Sequence, residues 1–208
     1  MNQAKIRLSV KEMELVKNAD WILTKNGILQ KVKILLEGLQ VRQQEFLAAE
    51  SFHLPSETLT PPPKISRGEN YKGLPYLVLD FPRFFEKENF LAIRTMFWWG
   101  NFFSITLHLT GRYKSLYEQA VISSFDSWEG SSVFIGVHET EWEHHFENDN
   151  YRPVKGMTRE EWIQCIHEKP FLKLGQKIPL EQWDDAQELL FRYFTRIIRM
   201  MSVQFPKR

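Results

Sequence analysis

Between Pro75 and Gly111 the chain carries two apolar, aromatic runs, Phe90 to Trp99 and Phe102 to Thr110, on either side of Gly100-Asn101. Runs of this kind around a Gly-containing dipeptide predict a β-hairpin, because glycine accepts the positive φ of a tight turn. With Gly100 and Asn101 as a two-residue loop, Trp99 faces Phe102 and Arg94 faces Leu107. Side chains alternate between faces along a strand. One face then holds Phe90, Ala92, Arg94, Met96 and Trp98 with Phe103, Ile105, Leu107 and Leu109, a core surface with Arg94 as its one intruder. The other holds Leu91, Ile93, Thr95, Phe97 and Trp99 with Phe102, Ser104, Thr106, His108 and Thr110. A three-residue loop would change which faces match.

The other elements follow from the same pattern. Ser9 and Glu12 form a capping-box pattern that opens a short helix toward Asn18. After Asp20, apolar residues recur at helical spacing from Trp21 through Leu29, Val32, Leu36 and Leu39 to Phe46, which predicts a helix of residues 20–50 with a weak point near Asn26-Gly27. Residues 51–70, with Pro61-Pro62-Pro63, read as a stiff connector. Strands are expected at 76–81, 90–99, 102–110 and 132–138. A helix follows the hairpin over 112–125. A second capping box, Thr158 with Glu161, starts a helix that stops before Pro170, and a last helix begins near Pro179.

Adjacent strands without intervening helices indicate an antiparallel sheet. The fold class is α+β: about four antiparallel strands around a central Gly100-Asn101 hairpin, with helices on one face. One domain of residues 1–208 is expected: N-terminal helices (1–50), connector (51–70), sheet with one helix (71–140) and C-terminal helices (158–203).

Composition narrows the class only a little. Hydrophobic residues at 43% and charged residues at 25% describe globular material. The net charge of +1 argues against a nucleic-acid or anionic-membrane surface. Cys165 is the single cysteine, so no intramolecular disulfide forms. No apolar run approaches the roughly 20 residues that span a bilayer, and Met1 to Ser9 lacks an apolar leader segment. A soluble cytoplasmic protein is expected. The seam of helix 20–50 extends further than one sheet face covers, which points to a homodimer through that helix.

Three places could carry chemistry. His138 to Glu147 supplies metal-ligand types, with His138, Glu141, His144 and His145 as candidates. The His-Glu-x-x-His pattern fails, because Trp142 stands at the second histidine position. No third ligand has a privileged place, so no metal or other cofactor is implied firmly. Arg94 cannot shed its charge and needs an acceptor. Asp80 on the preceding strand is the structural choice, and a carboxylate or phosphate ligand in a pocket is the functional one. His108, with Arg94, Thr95, Trp99, Ser104 and Thr106, makes up the candidate ligand-binding set, and His108 is the candidate general base.

No motif selects a reaction. Two readings stand: a non-catalytic binding or assembly protein that meets another chain, and a small-molecule-binding protein or enzyme with a pocket on the hairpin face. They divide on whether Trp99, His108 and the histidine segment converge.

Overall fold

The computed structural model describes residues 6–49, 52 and 54–202. The order is α1 (Val10–Lys17), α2 (Ala19–Ala49), α3 (Ser56–Leu59), β1 (Lys64–Tyr71), β2 (Leu74–Phe85), β3 (Phe90–Trp98), β4 (Phe102–Thr110), α4 (Gly111–Ser123), α5 (Phe125–Glu129), β5 (Phe134–Gly136), β6 (Tyr151–Pro153), α6 (Arg159–Glu168), β7 (Phe171–Pro179) and α7 (Ala186–Ser202), which a 3-10 turn at Leu180–Asp185 precedes. The class is α+β, but the antiparallel sheet has seven strands, in the order β1-β2-β3-β4-β7-β5-β6. Three of them fall outside the expected set. β1 occupies much of the proline-rich connector, whose Ser51 and His53 lie outside the described residues. β6 lies in a segment that reads as loop, and β7 runs between two helices.

Capping explains the helix ends. The Ser9–Glu12 and Thr158–Glu161 boxes both form, each hydroxyl accepting the N3 amide while the glutamate accepts the cap amide. Asn18 caps α2, its Oδ1 accepting the Trp21 amide at 3.2 Å. α2 runs unbroken through Asn26-Gly27; Glu50, where the helical pattern ends, lies outside the described residues. The stripe Leu29, Val32, Leu36, Leu39 is buried in the main core. β2 and α7 are the elements α2 contacts most, so from Leu29 onward this chain covers its own seam.

The hairpin differs from expectation by one residue. Trp98 pairs with Phe102 and Arg94 with Thr106, leaving a three-residue connection, Trp99-Gly100-Asn101, with Gly100 at φ +72°. The face assignments therefore recombine. Leu91, Ile93, Thr95 and Phe97 join Phe103, Ile105, Leu107 and Leu109, together with Leu172, Leu174 and Ile178 of β7, under helices α2, α4 and α7. The other face gathers Phe90, Ala92, Arg94, Met96 and Trp98 with Phe102, Ser104, Thr106 and His108. Arg94 is thus no intruder in the helix-covered core; it lies among hydroxyls and an imidazole.

Candidate functional site

The strand register builds the site in two rows across this second face. Asp80, Arg94, Thr106 and Gly175 lie side by side on β2, β3, β4 and β7, and Ala92, His108 and Lys173 form the next row. Small residues make the room. A Cβ at Gly136 would come within 2.9 Å of the Lys173 Cβ, and one at Gly175 would press on Phe146 and the Thr106 hydroxyl at 3.1 Å. Toward the turn the same face becomes apolar, with Val78, Met96 and Trp98 packed against Tyr71, Tyr76 and Phe102.

A strap covers the face. Residues 137–150 connect β5 to β6 and cross the sheet to its far edge, where Tyr71 of β1 holds them. The Tyr71 hydroxyl accepts the amides of His144 (2.8 Å) and His145 (3.0 Å) and donates to Glu143 Oε2 at 2.9 Å. The return is closed by the Val137 amide on the Asn150 carbonyl. Phe146 stacks on Tyr151 with ring centroids 4.3 Å apart.

Beneath the strap, Arg94 donates to Asp80 through Nε at 2.8 Å and Nη2 at 2.9 Å, a bidentate pair. Its Nη1 lies 3.3 Å from His144 Nε2. The Asp80 side chain keeps 7% of its surface and that of Arg94 24%. Lys173, 1% exposed, donates from Nζ to the Glu143 carbonyl and sits 5.0 Å from the centre of the Tyr151 ring. His108 is caged by Phe90 (4.4 Å), Trp142 (5.9 Å) and Phe171 (6.4 Å), and its buried Nε2 has no hydrogen-bond partner among the described residues. A cleft of about 300 Å³, bordered by Lys87, Thr110, Glu141 and Phe171, opens at this end of the face. Phe171 is both a wall of the cleft and a side of the His108 cage.

Burial dominates the electrostatics. It brings the Lys173 amine down to about 7, reinforced by Arg94 and opposed by Glu143 and Glu141. It holds the His108 imidazole well below its ordinary value, with Lys173, Arg94 and His144 adding in the same sense. His144 falls to about 3 through burial, Arg94, Lys173 and His145. Both histidines are therefore neutral near pH 7, and the Arg94 guanidinium donates to His144.

The sequence candidates divide. Arg94, Ser104, Thr106 and His108 share the strapped face, and His144 reaches them from the strap. Thr95 is on the opposite face, wholly buried, its hydroxyl unpartnered among the described residues. Trp99 is in the turn, edge-on to Trp21 and Phe97. Both are removed from the set by the one-residue shift in register. So His108 and the histidine segment converge, while Trp99 does not join them.

The metal candidates disperse. His138 Nδ1 accepts the Thr140 amide at 3.1 Å, Glu141 borders the cleft, His144 faces Arg94, and His145 lies between Glu143 and Asp149. Among the described residues no three His, Cys, Asp or Glu side chains are grouped to hold a metal ion. Sequence reasoning missed Lys173, Tyr71 and Tyr151. The alternation Leu172-Lys173-Leu174 has the period of a strand but reads Lys173 as outward, on the face opposite the leucines; only the strap, distant in sequence, makes that face an inner one. Among the described residues no helix is long and apolar enough to cross a membrane. Set against family models, curated proteins and solved structures, the chain matches none of them.

Proposed function

We propose that the protein binds a small molecule bearing a carboxylate or phosphate group on the strapped face of its sheet, with Arg94 and Lys173 as the anion-holding groups. The observation that carries this reading is an imbalance of charge and basicity in one buried cluster. Arg94, Lys173, His144 and His108 lie at the same covered face, where the one buried carboxylate among the described residues, Asp80, is already engaged by Arg94 at both oxygens. The Glu143 carboxylate is turned outward to Tyr71, Lys72 and His145. An arriving anion satisfies what the cluster leaves open: it gives Lys173 a charged partner in place of a backbone carbonyl, and it offers an acceptor to His108.

The ligand enters from the cleft beside Phe171 when Trp142, 57% exposed, swings off the His108 cage. The cleft volume suits a small metabolite rather than a polymer. The role is binding. Cys165 lies outside the cluster, on α6, with its thiol pushed up by burial.

Lys173 makes the test specific. Protonating an amine whose pKa is about 7 couples anion binding to proton uptake, so affinity rises as pH falls from about 8 to 6. Calorimetry at ionic strength fixed with chloride should show saturable binding of a short dicarboxylate, whose own charge changes little in this range, with that pH dependence, and saturable binding of inorganic phosphate at pH 7. Lys173→Met should abolish it. Heat no greater than chloride produces, or binding unchanged in a folded Lys173→Met variant, would reject the proposal.

A further inference from the structure

Lys173 differs from every other lysine of the described chain in where its amine is kept: it alone is buried. Its stem fits against Gly136, where a Cβ would meet the lysine Cβ at 2.9 Å. Its Nζ lies 5.0 Å from the centre of the Tyr151 ring and donates to the backbone carbonyl of Glu143. The Glu143 carboxylate turns away, to Tyr71, Lys72 and His145. The next residue of the strap meets the second cation, His144 Nε2 lying 3.3 Å from Arg94 Nη1. Consecutive strap residues thus touch the amine and the guanidinium. His108 lies opposite Lys173 on β4, its Nε2 unpartnered among the described residues. An amine desolvated beside a fixed cation is the setting in which a lysine becomes a nucleophile, because its free base is populated near neutral pH.

We propose that Lys173 captures an oxo acid covalently, its amine condensing with the aldehyde or ketone carbon of the ligand to form an imine while Arg94 holds the carboxylate. The nitrogen lone pair forms the C–N bond as the carbonyl π pair moves to oxygen. A proton passes from nitrogen to that oxygen, giving a carbinolamine. The C–O bond then breaks, and both hydrogens of the amine leave with the oxygen as one water, so the step needs no other reactant.

Three features select an oxo acid. Arg94 spends Nε and Nη2 on Asp80, but its Nη1 faces only a neutral imidazole, which a carboxylate can replace. The Arg94 side chain keeps 24% of its surface, so that end of the pair is reachable from solvent. The strap and the Tyr151 ring shield the amine end from water, which protects an imine from hydrolysis. The capture rests on the anion site proposed above and uses the other protonation state of the same amine. The ammonium pairs with an anion; the free base bonds to carbon.

Sodium cyanoborohydride reduces an imine to a stable secondary amine and so records the bond. Native protein is incubated at pH 7 with the reductant and either pyruvate or succinic semialdehyde, whose carbonyl carbons lie at different distances from the carboxylate, and the labelled lysines are located by peptide mass spectrometry. With at least one of the two, Lys173 should be labelled faster than any other lysine by about tenfold or more. A short dicarboxylate, which has no reactive carbonyl, should slow that labelling, and urea should erase the preference. Propanal, a carbonyl without a carboxylate, should show no such preference for Lys173. Absence of excess label at Lys173 with both oxo acids overturns the imine. If the dicarboxylate still binds in calorimetry, the anion site stands and only the capture falls; if it does not bind, both fall. A preference for Lys173 that persists in urea, or that propanal matches, also overturns the proposal.

Discussion

Arg94 and Lys173 answer burial in opposite ways. Arg94 keeps its charge and uses both oxygens of Asp80, so its removal strands a carboxylate that is almost wholly enclosed. Arg94→Ala should cost about 3 kcal/mol, the low end of the range for breaking a buried pair, since part of the guanidinium still reaches solvent. Arg94→Met combined with Asp80→Asn should cost less than Arg94→Ala alone, because no carboxylate is then left without its cation; urea melts of the three proteins decide the order. Lys173 instead yields its charge. Its folded pKa of about 7 lies below the unfolded value of 10.5, so between those limits the unfolded chain holds the extra proton. Stability should accordingly rise from pH 7 to pH 10 with a slope of up to about 1.4 kcal/mol per unit. Lys173→Met should flatten that rise. For His144, with a folded pKa of about 3, the unfolded state takes up the proton as pH drops below 6.5, so stability falls from there toward pH 3. His144→Gln should reduce this acid loss, as melts at stepped pH would show.

At the scale of elements, legibility followed how local the determining signal is. Both capping boxes sit within four residues of sequence, and both form. The long α2 is written in its apolar stripe. The hairpin was legible as a hairpin, but its register depends on whether Trp99 belongs to the strand or the turn. Its aromatic side chain suits either place, and only packing against Trp21 and Phe97 decides. That single residue moved Arg94 beside Thr106 and sent Thr95 to the opposite face. β7 was hidden because it pairs with β4, some 70 residues earlier, and no short-range pattern records such a partner. The strap was the least legible element, since partners distant in sequence hold it, among them the Tyr71 hydroxyl on β1 and the Lys173 amine on β7. Tyr71→Phe should leave two strap amides without their acceptor, at a cost of about 1–3 kcal/mol for each group that stays buried. Hydrogen exchange at the His144 and His145 amides should speed up by at least tenfold while that of β3 and β4 amides is unchanged. Equal protection in both proteins would show that the strap does not depend on Tyr71.

The whole molecule is a seven-stranded sheet with two differently used faces. Helices cover one with the main apolar core; the strap covers the other, and there the basic groups gather. The arrangement turns the seam of the 20–50 helix inward: Leu36 has no exposed surface, so a charge placed there would disrupt the chain's own core. The central claim is that Lys173 is a buried amine kept poised for an anion, and NMR of ¹³C-labelled lysine side chains tests it most directly. Across a pH titration, one ε-carbon signal, absent from Lys173→Met, should titrate near 7. Adding inorganic phosphate or a short dicarboxylate should move that one midpoint upward by a unit or more. A spectrum with no lysine signal titrating near 7, or a low midpoint that neither anion shifts, would contradict the account.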